Sequence, residues 1–138
     1  MERSTLGTRQ VSIEFPGVKA LSNVDFEVST GEIRAVVGAN GAGKSTLMKV
    51  LAGANPEYTG DVLLNGKPIE LRTPLAAKRI GVQIVYQEVD TALIPTFSVA
   101  ENVMLNDTVV NQKGVAMNWR RMYREAQKVL DRLHITVS

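Results

Sequence analysis

The spacing of hydrophobic residues changes along this chain, and the change separates strand-like from helix-like stretches. Apolar and polar residues alternate in VSIEF (residues 11–15) and again in VDFEVS (residues 24–29), the period of strands with one buried face. Pro16-Gly17 breaks the first run, and Thr30-Gly31 turns the second into IRAVV (residues 33–37). That third run is nearly continuous in apolar residues and predicts a strand buried on both faces. VQIVYQE predicts another such strand, ending at Gln87.

Helical spacing appears between these runs and dominates after them. Leu47, Val50 and Leu51 stand at i, i+3 and i+4, and Gly53 can close their helix. Asn65-Gly66 between two short apolar runs predicts a tight hairpin. Thr73-Pro74 predicts a helix start with proline at its first position, and Gly81 its stop. Beyond Pro95, Ser98 and Glu101 form a capping box, and residues 106–117 read as a loop. Asn118 caps a last helix whose Trp119, Met122, Ala126, Val129, Leu130 and Leu133 make an apolar stripe. The order of elements predicts an α/β fold, with strands first and helices last.

Composition narrows the picture without deciding it. The chain has 138 residues, 44% hydrophobic and 22% charged, as expected of one domain with a real core. The 16 Lys and Arg nearly balance 14 Asp and Glu, for a net charge of +2, which argues against nucleic acid as a partner. The densest basic stretch, RRMYREAQK, brings Arg121, Arg124 and Lys128 near one side of a helix; a solvated face interspersed with Glu125 and Asp131 accounts for it. With no cysteine, neither a disulfide framework nor a thiolate metal site is available. Nothing resembles a targeting segment, and no apolar run approaches bilayer length.

The chemistry lies between the third apolar run and the first helix. Gly38-Ala39-Asn40-Gly41-Ala42-Gly43-Lys44-Ser45 matches G-x4-G-K-[ST] at every defined position. Glycines there let the backbone curl so that successive N–H groups point inward at phosphate oxygens. The helix that follows adds its positive N-terminal end. Lys44 offers a point charge to the β- and γ-phosphates, and Ser45 a hydroxyl ligand for Mg²⁺. A glycine-rich turn with a solvent-facing lysine would share the pattern, but the apolar strand before it and amphipathic helix after it favour the phosphate loop. The nucleotide site predicted on this basis spans Gly38 to Ser45 and Thr46, with ATP and Mg²⁺ as cofactors.

The run VGANGAGKSTLMKVLAG, followed by GDVLLNGKPI, IVYQE and FSVAENVML, resembles the ATP-binding-cassette (ABC) transporter ATPases. FPGVKAL near the start and the QE pair are similar to the bacterial sugar-import branch of that family. The resemblance covers nearly the whole chain from Val11 onward. It implies a partial P-loop NTPase fold: residues 1–95 as a nucleotide-binding core portion with an antiparallel β-subdomain, and residues 96–138 as the start of a helical subdomain. By residue chemistry alone Phe15 is a strand-end aromatic suited to core packing; the resemblance implies that it stacks on adenine. It also implies that Gln87 is the glutamine-loop residue, touching Mg²⁺ and the attacking water and acting in catalysis with Lys44.

Two local departures stand out. Ala39 replaces a frequent glutamate, and VDTALIP is longer than the family's spacing after the glutamine, implying a differently shaped loop. The chain contains no Gly-Gly pair for a signature motif and no Asp-Glu dipeptide, and its one histidine, His134, reads as a helix-end residue. The expectation is the first part of one cassette, binding nucleotide but inactive alone, within an ATPase that energises solute import. The expected partners are transmembrane permease subunits and a second cassette, with a solute-binding protein engaged only indirectly. The expected location is the cytoplasmic face of the cell membrane. Rival readings are another P-loop enzyme, such as a small-molecule kinase, and a non-transport ABC interaction module.

Overall fold

The first strand is longer than its alternation suggests, because a bulge resets the pattern. In the computed structural model of the protein, which describes residues 4–86, 93–111 and 118–136, β1 runs over Thr5–Phe15. It pairs antiparallel with β2, Val18–Ser29. The register shifts between Thr8 and Val11, where Arg9 and Gln10 are both exposed and Gln10 takes a φ of 49°. The Gln10 N–H donates to Asp25 Oδ1 at 2.7 Å rather than to a ladder carbonyl, and Gln10 Nε2 donates to Asp25 Oδ2 at 2.9 Å. An extra residue on one strand inverts the side-chain phase. Alternation read from Val11 therefore misses the half of β1 that precedes the bulge.

Strand β3 (Thr59–Leu64) pairs with the other edge of β1 and turns into β4 (Lys67–Ile69), giving the sheet order β2-β1-β3-β4. The turn is Asn65-Gly66, as its sequence predicts, with φ of 53° and 74°: two left-handed residues whose twist suits the strands they join. Asn65 also ties the sheet's edge, its Oδ1 accepting from the Thr5 N–H and the Ser4 hydroxyl, both at 2.8 Å.

Helix α1 (Lys44–Leu51) lays Leu47, Val50 and Leu51 into one core with Val11, Ile13 and Leu21 of the sheet. Each such side chain contributes about 1.5–3 kcal/mol when fully buried. Helix α2 (Pro74–Arg79) starts where Thr73-Pro74 predicts, with Thr73 Oγ1 accepting from the Ala76 N–H at 3.2 Å, and Gly81 follows it at a φ of 89°. Arg72 lies over the Tyr58 ring, 4.1 Å from its centroid, while its guanidinium donates to the carbonyls of Pro56 and Tyr58.

The chain divides into two compact units, Met1–Ile84 and Val85–Ser138. The second holds α3 (Val99–Asn111) and α4 (Trp119–Arg132), packed through Met104, Met122 and Ala126. The capping box forms in full: Ser98 N–H and Oγ donate to Glu101 Oε2 at 2.7 and 2.6 Å, and the Glu101 N–H donates back to Ser98 Oγ at 3.3 Å. Asn118 caps α4 through the Arg121 N–H at 3.0 Å, and His134 ends it at a φ of 56°.

Four sequence expectations are corrected. Residues 33–37 form no strand; Ile33 is fully exposed and no described residue pairs with the segment. Residues 82–86 form none either, and Val85 is 95% exposed. A strand buried on both faces is created by its neighbours, so an apolar run without a ladder partner has no reason to hold that conformation. The loop expected from residue 106 is helical as far as Asn111, because α3 continues past its apolar start. Of the six residues in the α4 stripe, only Met122 and Ala126 are buried, and Trp119, Val129 and Leu133 remain exposed. The α/β character and the antiparallel subdomain stand.

Candidate nucleotide-binding site

The glycine loop curls through two left-handed residues, Gly41 at a φ of 82° and Gly43 at 85°. Gly43 is the N-cap of α1, and its carbonyl accepts the first helical bond from the Leu47 N–H at 2.9 Å. No side chain caps this helix, so its first-turn N–H groups face the place where a phosphate would sit. That combination of an uncapped helix end and a curled glycine loop suits an anion. Within the loop, the Ala42 N–H donates to the Ala39 carbonyl at 3.2 Å, which fixes the bend.

Lys44, the first residue of α1, turns back over the loop. Its Nζ donates to the carbonyl oxygens of Gly38 at 2.8 Å and Ala39 at 2.7 Å. An ammonium has three donors, so one remains to meet a phosphate oxygen. Ser45 and Thr46 follow on the same first turn, Ser45 exposed. A hydroxyl beside phosphate oxygens is the donor set Mg²⁺ takes when it binds through substrate and water rather than a protein cage. The described residues offer no cluster of three or more acidic or histidine ligands, so a magnesium ion would depend on Ser45 and the nucleotide.

Phe15 ends β1 opposite Val18, and it is 42% exposed rather than part of the core. The structure thus removes core packing as its role. Val18 is exposed beside it, so the end of the β1–β2 hairpin presents two apolar side chains to solvent. Ala20, two residues beyond Val18 on β2, comes against Gly43, so this hairpin and the phosphate loop meet. Gln87 lies outside the described residues, as does Glu88.

Sequence reasoning missed Asn102. Its side chain accepts from the Ile94 N–H at 2.8 Å and donates to the carbonyls of Ile94 at 3.1 Å, Phe97 at 3.2 Å and Ser98 at 3.1 Å. Its position just after the capping box was the available signal, but an asparagine in a first turn is ordinarily read as a solvated polar residue.

The ABC transporter family model matches residues 21–137. The chain belongs to that family. It is 42% identical over 140 aligned residues to the xylose import ATP-binding protein XylG of Thermoanaerobacter pseudethanolicus, an alignment covering 100% of this chain and 27% of the relative. It is 45% identical over 128 residues to the ribose import ATP-binding protein RbsA 2 of Escherichia coli O157:H7, covering 93% of this chain and 24% of that one. The L-arabinose transport ATP-binding protein AraG of Geobacillus stearothermophilus is 40% identical over 140 residues, covering 100% and 26%. The chain thus spans about a quarter of the length of the curated relatives it matches. The glycine loop lies within the matched range, as do α1, α3 and α4. Among the described residues, no helix is long and apolar enough to cross a membrane.

Proposed function

We propose that this chain is the ATP-binding portion of an import ATPase, and that the whole protein couples ATP hydrolysis to uptake of a sugar. The observation that carries the reading is Lys44 held over the glycine loop at the uncapped start of α1, inside a chain of the ABC transporter family. The loop N–H groups and the Lys44 ammonium would take the β- and γ-phosphates, Ser45 would hold Mg²⁺, and Phe15 with Val18 would stack on the base. Gln87, by its place in the motif, would meet the metal and the attacking water. A small-molecule kinase would need an arginine-rich lid and an acceptor site, and the match of the ABC transporter family to residues 21–137 favours the cassette over it.

Which sugar is carried is not written in this portion. Relatives named for xylose, ribose and arabinose resemble it at similar identity. The choice of solute would then rest with a permease and a solute-binding protein. We assign the chain to the cytoplasmic face of the cell membrane, bound peripherally through permease subunits and paired with a second cassette. The surface suited to a permease is an apolar cleft of about 380 Å³ in the second unit, lined by Leu93, Pro95, Phe97, Val99 and Val103.

The test is nucleotide binding in the presence of Mg²⁺. Removing the Lys44 charge costs about 2–5 kcal/mol if the phosphates it meets are desolvated, which is a loss of about 30-fold or more in affinity. ATP should raise the melting temperature of the wild-type protein and leave that of Lys44→Ala unmoved. Equal shifts in the two forms would end the assignment.

A further inference from the structure

We propose that α4 touches lipid directly: the edge formed by Trp119, Tyr123, Arg120 and Arg124 docks on the headgroups of an anionic bilayer. The inference goes beyond the transport reading and belongs wholly to the second unit. Trp119 and Tyr123 stand four residues apart on α4, so their rings lie one above the other on one face. Arg120 and Arg124 repeat that spacing about 100° further round the helix. All four side chains are exposed, the two rings by 49% and 52%. The helix packs on α3 through Met122 and Ala126, which places the rings at the margin of that contact, between it and the arginines. A solvated face accounts for the charges of this stretch but not for two large rings left in water beside them. Rings next to long cationic side chains are what a helix at a lipid interface carries: the aromatics sit at headgroup depth and the cations reach the phosphates.

Charge selects the sign of the surface. Helix α4 carries five Lys and Arg against two acidic residues, a net +3, in a chain whose total is +2. Both acids are already engaged, Asp131 accepting from Gln127 Nε2 at 2.7 Å and Glu125 from Lys128 Nζ at 2.8 Å. Arg120 and Arg124 make no hydrogen bond or ion pair with any described residue. Their guanidinium groups are thus open to lipid phosphates, which arginine meets in paired hydrogen bonds. Rings and arginines also suit single-stranded nucleic acid, but such binders track the strand in a groove, and a convex helix edge offers none. The bilayer is the better fit.

The chain has a single tryptophan, Trp119, so its emission reports on this edge directly. The 138-residue chain is mixed with vesicles of phosphatidylcholine containing phosphatidylglycerol, or of phosphatidylcholine alone, and sedimentation and emission are measured. It should sediment with the anionic vesicles only, with the Trp119 emission shifted to the blue. A basic residue near an anionic surface is worth about fivefold in binding, so Arg120→Gln combined with Arg124→Gln should lower the partition coefficient about 25-fold. Tyr123→Ser should weaken binding and leave its salt dependence in place. Raising salt from about 0.1 M to about 1 M should release the wild-type chain, because the screening length falls from about 10 Å to about 3 Å. No sedimentation with anionic vesicles, equal binding to both compositions, or sedimentation without a blue shift would overturn the proposal. Wild-type binding in the folded double variant would do the same, and if that variant does not fold, binding indifferent to salt overturns it. Tighter binding of single-stranded RNA, with Trp119 quenched by stacking, would give the edge to nucleic acid instead. No nucleotide is present, so failure here leaves the Lys44 test of ATP binding untouched.

Discussion

A Cβ placed on Gly43 would stand 2.4 Å from the carbonyl oxygen of Ala20 and 2.9 Å from the Leu21 side chain. The phosphate loop and strand β2 therefore meet backbone to backbone, with no room for even a methyl group between them. Gly43 also holds a φ of 85°, which an L side chain rarely adopts. Gly43→Ala should accordingly both destabilise the first unit and displace the start of α1. We expect its melting temperature to fall and its ATP-induced shift to vanish, whereas Gly41→Ala, whose Cβ meets nothing within 4 Å, should fold better. Equal stability of the two variants would show that the contact at Gly43 is relaxed in solution.

Phe15 supplies a second prediction, which separates base from phosphate recognition. Stacking on an aromatic ring is worth about 1–3 kcal/mol per base. Phe15→Ala should weaken ATP binding by a matching factor of about 5–150 and leave the affinity for inorganic tripolyphosphate unchanged. Phe15→Trp should restore ATP binding. Because Phe15 is 42% exposed and lies outside the buried core, none of these variants should cost much stability. Calorimetric titration of both ligands decides it, and loss of both affinities together would return Phe15 to a structural role.

The capping box predicts a pH effect at α3. The side-chain hydrogen bond from Ser98 to the Glu101 carboxylate, joined by the Ser98 N–H, holds its pKa below the usual carboxylate value. A lowered folded-state pKa means that the stabilisation is present above the unfolded value and is lost as pH falls through the folded one. The start of α3 should thus fray only under acid conditions. NMR titration should find Glu101 below a model glutamate and closer to it in Ser98→Ala, which loses the hydroxyl but keeps the residue-98 N–H and also removes about 0.5–2 kcal/mol of cap. An unmoved Glu101 in that variant would contradict the assignment.

Catalysis gives a fourth prediction. In the proposed site Lys44, Ser45 and Gln87 would hold charge and metal, yet none of them is a base able to activate water. The 138-residue chain with Mg²⁺ should hydrolyse ATP no faster than buffer with Mg²⁺. Turnover that disappears in Glu88→Gln would place the base beside the glutamine loop.

What the sequence determined by itself is local. Gly38 to Ser45, Thr73-Pro74 and the Ser98–Glu101 box make their bonds within a few residues, and Asn65-Gly66 turns on its own two left-handed residues even though Asn65 also reaches Ser4 and Thr5, so their spacing was enough to place them. The motif order likewise pointed to the family that the comparisons show. Only the tertiary structure could decide whether Phe15 is in the core, since a strand-end aromatic suits either place and its neighbours choose. It also decided that Gly43 abuts Ala20, that a bulge at Gln10 extends β1, and that Asn102 gathers Ile94, Phe97 and Ser98. The apolar runs at residues 33–37 and 82–86 mark the same boundary from the other side: their composition is that of buried strands, but a strand exists only where another chain segment supplies its hydrogen bonds.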